Sequence, residues 1–144
     1  LDNGRVLLFD NGCHKRGFTH SRVIEVDPNT SEIAWEYRGD PPISFYSYHI
    51  SGADRLPNGN TLICEGAPGR IFEVTTVGDI VWEYINPFMG LSGAGVGGTA
   101  SGLANSVFRA HRYGPDHPAL QGRELDPDRY ANLNRLYAGE ARRP

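Results

Sequence analysis

An internal repeat limits the folds open to this chain more than any other feature. Asn3-Gly4-Arg5-Val6-Leu7-Leu8-Phe9-Asp10 recurs as Asn58-Gly59-Asn60-Thr61-Leu62-Ile63-Cys64-Glu65. Arg22-Val23-Ile24-Glu25-Val26 recurs as Arg70-Ile71-Phe72-Glu73-Val74, and Ile33-Ala34-Trp35-Glu36-Tyr37 as Ile80-Val81-Trp82-Glu83-Tyr84. The spacing is 55 residues in the first block, 48 in the second and 47 in the third. Each block is a short apolar run closed by Gly, Pro or Asn, which is how a β-strand and its turn read. Strand clusters repeating at this period are the pattern of β-propeller blades. The expected fold is therefore all-β, a partial propeller with two recognisable blades and strands of a third.

Closing a propeller takes at least about four blades of roughly 40–50 residues. The 144 residues here are too few, so the chain reads as the C-terminal part of a longer protein. Blades are expected over 1–114, with a Gly-rich inter-blade loop at 89–105, and a C-terminal extension over 115–144. Strands are expected at 5–10, 22–26, 32–37, 45–56, 61–65, 70–75, 79–85 and 106–113. Those at 45–56 and 106–113 would be the inner strands of successive blades. Asp126-Pro127 offers an N-cap followed by Pro at the first helical position, and Tyr130, Leu133, Leu136 and Tyr137 fall at helical spacing. A short terminal helix is expected there.

A net charge of −3 gives no electrostatic case for nucleic acid or an anionic membrane. No apolar run approaches the roughly 20 residues that span a bilayer. Cys13 and Cys64 have no CxxC partner, so neither a zinc nor a redox motif is supported, and a disulfide between them would require export. Gly93, Gly95 and Gly98 have GxGxxG spacing, but the dinucleotide fingerprint needs a βαβ unit that this all-β pattern lacks. No metal or cofactor is implied: Asp10, Glu65, His49 and Asp54 show no ligand spacing.

Residues that recur at equivalent positions belong to architecture. Trp35 and Trp82 are assigned to packing between sheets, and Glu36 and Glu83 to pairing with neighbouring Arg side chains. Function breaks symmetry, so residues outside the repeat are the better candidates. His49 stands first, with Ser47 and Ser51 flanking it at period two on one strand face. Facing a channel, it could act as nucleophile, base or oxyanion ligand; the plainer reading is a hydrogen-bonded structural histidine. Tyr46 neighbours this group, and Arg109 is an anion-contact candidate on the later inner strand. His14 and His20 read as solvated, and His111 and His117 rank below His49.

The run Leu8-Phe9-Asp10-Asn11-Gly12, then Ser21-Arg22-Val23-Ile24-Glu25, Trp35-Glu36-Tyr37 and Phe45-Tyr46-Ser47 resembles the C-terminal part of bacterial arylsulfotransferases. Ser51 to Gly66, Gly69 to Val74 and Val107-Phe108-Arg109-Ala110 are similar to a propeller subgroup of that family. The resemblance covers residues 3 to about 113. It implies a six-bladed propeller, usually exported to the periplasm. The implied activity moves a sulfuryl group from an aryl sulfate to a phenol through a channel histidine, without a nucleotide donor. Tyr46, Ser47, His49 and Ser51 would then line the channel and contact oxyanion or phenol, with Arg109 as a further anion contact. The family's sulfuryl-carrying histidine would precede Leu1, so the isolated segment is expected to be inactive. Where the family has a sulfate-contacting Thr shortly after F-Y-S, this chain has Ile50 beside Ser51. The expected partners are these small molecules, and self-association is admitted. Two other readings stand beside this one: a non-catalytic propeller binding a ligand or protein, and a quinoprotein-type dehydrogenase.

Overall fold

A computed structural model describes residues 1–14, 16–17, 19–91 and 102–131. The architecture is all-β, built on two antiparallel sheets. The first holds β1 (Val6–Asp10), β2 (Arg22–Val26) and β3 (Ile33–Tyr37) in chain order. The second holds β4 (Ser51–Arg55), β5 (Thr61–Glu65), β6 (Arg70–Val74) and β7 (Ile80–Ile85), also in chain order. A two-residue ladder, β8 (Gly90–Leu91) with β9 (Leu103–Ala104), closes the base of the Gly-rich segment. Gly93, Gly95 and Gly98 lie outside the described residues. The chain divides into two compact units, Leu1–Arg112 and the segment from Tyr113 onward.

The sequence repeat is a structural repeat. β1, β2 and β3 correspond to β5, β6 and β7, and the correspondence extends to irregularities. The ladder shifts by one residue between Glu25 and Val26 in the first sheet, and between Glu73 and Val74 in the second. The change of spacing from 48 to 47 arises in the turns that follow. The first runs from Asp27 to Glu32 and carries Ser31 at φ 63°, whereas the second runs from Thr75 to Asp79 and carries Gly78 at φ 97°. Glycine reaches that left-handed region without the penalty a side chain meets there.

The core lies between the sheets. Val23 and Tyr37 from the first meet Ile63, Phe72 and Val74 from the second, with Phe45 from the connecting segment wedged among them. Phe45 makes edge contacts with Phe9, Tyr37 and Phe72 at ring-centroid distances of 5.2, 5.4 and 5.6 Å. Each such pair adds about 0.5–1.5 kcal/mol beyond area burial. The opposite face of the second sheet is bare: β7 is exposed along its length, Trp82 at 42% and Ile85 at 52%.

Two expected inner strands differ from the structure. Of residues 45–56 only Ser51–Arg55 form a strand, because Pro42–Ser44 make a 3₁₀ turn and Ile50 sits at φ 35°, which breaks an extended run. Residues 106–112 pair with no strand among the described residues. In the C-terminal unit, Pro127–Tyr130 form a 3₁₀ turn capped by Asp126, whose carboxylate accepts from the Asp128 amide. Leu133, Leu136 and Tyr137 lie outside the described residues. No helix among the described residues is long and apolar enough to cross a membrane.

Candidate functional site

Two segments outside the repeated strands are placed in the same way on the two sheets. Residues 45–55 run along the first: the Ser21 amide donates to the Phe45 carbonyl (2.9 Å), and Asn11 Nδ2 donates to the Ser47 carbonyl (2.6 Å). Residues 105–112 run along the second at the corresponding points. The Asn105 carbonyl lies 2.2 Å from where a Gly69 Cβ would sit, and the Val107 amide donates to the Gly66 carbonyl (2.9 Å). Gly66 and Gly69 stand where Asn11 and Ser21 stand in the first sheet. A Cβ on Gly66 would come within 2.3 Å of the Val107 carbonyl oxygen, so glycine is what lets the second segment sit this close.

Each segment ends in an arginine that locks it to its sheet. Arg55 Nη2 meets Glu25 Oε2 at 2.7 Å, and its guanidinium lies 4.9 Å from the Trp35 ring centre. Asn3 and Arg5 complete the shell of Glu25. Arg112 pairs with Glu73 and lies 4.7 Å from the Trp82 ring centre, while Asn58 and Asn60 complete the shell of Glu73. Burial pushes the Glu25 carboxyl up, but hydrogen bonds from Asn3 and Arg5 and the Arg55 charge outweigh it and hold it below its ordinary value. For Glu73 the hydrogen bond from Asn60 is the largest influence, with Asn58 and Arg112 adding to it against burial; it too is held low. The two locks differ at the indole. Trp35 Nε1 donates to the Thr76 carbonyl (2.8 Å) in the second sheet's last turn; Trp82 Nε1 meets no acceptor among the described residues.

Glu36 and Glu83 pair with arginines as the sequence suggests. Arg22 bridges Asp10 (2.8 Å) and Glu36 (3.3 Å), and Arg70 bridges Glu65 (3.2 Å) and Glu83 (2.6 Å). The hydrogen bond to Asp10 is the main reason the Arg22 guanidinium is held above its ordinary value.

The group best prepared for chemistry is one that sequence spacing ranked low. His111 Nδ1 lies 2.7 Å from Asp54 Oδ2, joining residues 57 positions apart. Both side chains are accessible, at 49% and 40%. With the carboxylate taking the Nδ1 hydrogen, the Nε2 lone pair is left free, as a general base or nucleophile requires. Arg109 precedes His111 by two residues and is exposed, its Nε 3.5 Å from where a Gly52 Cβ would lie. Cys64 lies beneath the same segment, its Sγ 3.8 Å from the Val107 carbonyl; burial pushes its thiol above the ordinary value. Cys13 is exposed, and both cysteines are free thiols.

The other sequence candidates do not share one face. Ser47 is fully buried and committed to the fold: its amide donates to Ser21 Oγ (2.9 Å), and its hydroxyl meets the His49 and Ile50 carbonyls (2.6 and 2.8 Å) and accepts from the Ala67 amide (3.0 Å). His49 turns outward and stacks on Tyr48 at 4.0 Å between ring centres. The period-two argument fails because it requires extended backbone through Ile50. Tyr46 is half-buried, its amide held by Glu65 Oε1 at 2.7 Å. Ser51 Oγ accepts from Asn11 Nδ2 at 3.1 Å. Among the described residues no group of three or more His, Cys, Asp or Glu side chains could hold a metal ion. No family model, curated protein or solved structure matches the chain.

Proposed function

We propose that the two sheets are consecutive blades of a propeller that moves a sulfuryl group from an aryl sulfate to a phenol, with His111 as the imidazole handling that group. The His111–Asp54 pair carries this reading. In the first half-reaction Nε2 attacks sulfur, the bond from sulfur to the aryl oxygen breaks, and the aryloxide leaves. The imidazole then carries the sulfuryl group and a positive charge, which Asp54 faces through Nδ1–H. In the second half the phenol oxygen attacks sulfur, its proton passes to solvent, and Nε2 departs as neutral imidazole. Arg109 supplies a cation for the sulfuryl oxygens as charge redistributes. The exposed Tyr48–His49 stack offers an aromatic surface for the aryl ring. His111 is an imidazole that the described residues offer for this step.

The test is acceptor-dependent nitrophenol release from nitrophenyl sulfate, measured on the assembled channel. His111→Gln is expected to lower the rate at least about 100-fold, the scale of a positioned acid–base or nucleophilic group, and Asp54→Asn to lower it less. Unchanged turnover in His111→Gln would remove His111 from the reaction. A second reading, a ligand-binding platform without chemistry, is favoured by the accessibility of the pair; binding of the aryl sulfate with no release in any variant would establish it.

A further inference from the structure

Among the described residues the first sheet has one strand fewer than the second, and residues 108–112 belong to no sheet. β5 is flanked by β4 and β6, whereas β1, its counterpart, pairs among the described residues only with β2. The edge of β1 that faces away from β2 borders an open basin of about 500 Å³, lined by Arg5, Val6 and Leu7 on one side and by Ala53, Asp54, Arg55 and His111 on the other. Residues 105–112 lie beside the second sheet as residues 45–55 lie beside the first, anchored by Asn105 at Asn86, Val107 at Gly66 and Arg112 at Glu73. Yet residues 108–112 join no strand ladder among the described residues; they are held through the His111 and Arg112 side chains. Beside them Trp82, Tyr84 and Ile85 lie bare, on the face equivalent to the one through which the first sheet packs on the second.

We propose that this face binds a second copy of the chain, head to tail. Residues 108–112 of one copy complete the sheet of the next along its β1 edge. The β1–β3 sheet of that copy then stands before β7, as its own second sheet stands before β3. The molecule already contains this interface once: Glu25, Trp35 and Arg55 lock it within the chain. Glu73, Trp82 and Arg112 present the same lock, with no sheet in front of it among the described residues. The Trp82 indole would find in the neighbour a turn carbonyl of the kind Trp35 finds at Thr76. Register follows from the lock. Arg112 stands for Arg55, so Ala110 stands for Ala53, which faces Ile63. Ile63 corresponds to Leu8, so Ala110 of one copy faces Leu8 of the next. Such an interface is heterologous and propagates into a ring or an open array instead of stopping at a two-fold pair. Unpaired strand edges are the usual template for association of this kind.

The proposal does not rest on the sulfuryl-transfer reading. Its test is sedimentation of the whole chain over a wide concentration range, together with cysteine trapping. Association into species larger than the monomer is expected. Trp82→Glu is expected to raise the midpoint concentration at least tenfold while leaving the circular dichroism of the monomer unchanged. With Cys13→Ser in both partners, a mixture of Leu8→Cys and Ala110→Cys chains is expected to form a disulfide between copies. A chain that stays monomeric throughout, or a self-associated form indifferent to Trp82→Glu and to the cysteine pair, would overturn the proposal. A monomer would assign the face to other strands of a longer polypeptide.

Discussion

The two sheets are near-copies in sequence and register, yet Trp35 and Trp82 live in different surroundings. Trp35 is packed against the core and donates to Thr76, whereas Trp82 is 42% exposed and its indole N–H meets no acceptor among the described residues. The residues around them are the same kind: a low-exposure glutamate, an asparagine shell and an arginine over the ring. The difference comes from what stands in front. Among the described residues the second sheet stands before β3 and no sheet stands before β7, so the repeated lock is a property of each sheet and the core is a property of the junction.

The largest effect that separates the two is expected at Phe45. Phe45→Ala removes a fully buried ring from the junction and should cost about 3–5 kcal/mol in urea unfolding. Its counterpart on the bare side is Asn105, which exchanges hydrogen bonds with Asn86 (2.8 and 3.1 Å). Asn105→Ala should cost only about 1 kcal/mol. Equal losses would mean that the two faces are equally packed.

The locks should show themselves in acid. Glu25, Glu73 and Glu36 are each held below their ordinary value of 4.5. Protonation therefore favours the unfolded chain. The stability these groups contribute is present in full above about pH 4.5 and is lost as pH falls through their lower folded values. The urea midpoint should be flat near neutrality and decline below that range. Glu25→Gln should lower the neutral plateau by about 1–3 kcal/mol, because it leaves Arg55 facing a neutral partner at the junction. Glu73→Gln should lower it less, since Arg112 has readier access to solvent. A midpoint that does not decline in acid would contradict the lock.

The smallest expected effect is at Thr61. Its buried hydroxyl finds no hydrogen-bond partner among the described residues, and the first sheet has Val6 at the same place. Thr61→Val should be neutral or should stabilise by up to about 1 kcal/mol, since it removes an unsatisfied polar atom at nearly constant shape. A clear loss of stability would show that the hydroxyl is paired.

Much of this was legible in the sequence. The strands at Val6–Asp10, Arg22–Val26 and Ile33–Tyr37 and their copies follow from alternation and turn residues, and the pairing of Glu36 and Glu83 with arginines follows from recurrence. The junction was not. Arg55 and Arg112 hold corresponding posts, but Arg55 lies eight residues after Ser47 and Arg112 only five after Val107. The longer path is taken up by the turn through Ile50, whose positive φ leaves no mark in an apolar residue type. That turn also undid the grouping of Ser47, His49 and Ser51. Asp54 and His111 meet because Gly66 and Gly69 let the later segment lie close. A contact 57 positions apart has no periodic signature, and only the failure of His111 to recur hinted at it.

The central claim is that one lock, present twice, is covered in one place and open in the other. Acrylamide quenching of the two single-tryptophan variants, Trp82→Phe and Trp35→Phe, at micromolar concentration reads this directly. Trp35, left alone, should be strongly protected; Trp82, left alone, should quench several-fold more readily. Trp35→Phe should also cost about 1 kcal/mol for the lost Thr76 hydrogen bond, and Trp82→Phe less than about 0.5 kcal/mol. Equal protection of both indoles in a monomeric sample would contradict the account.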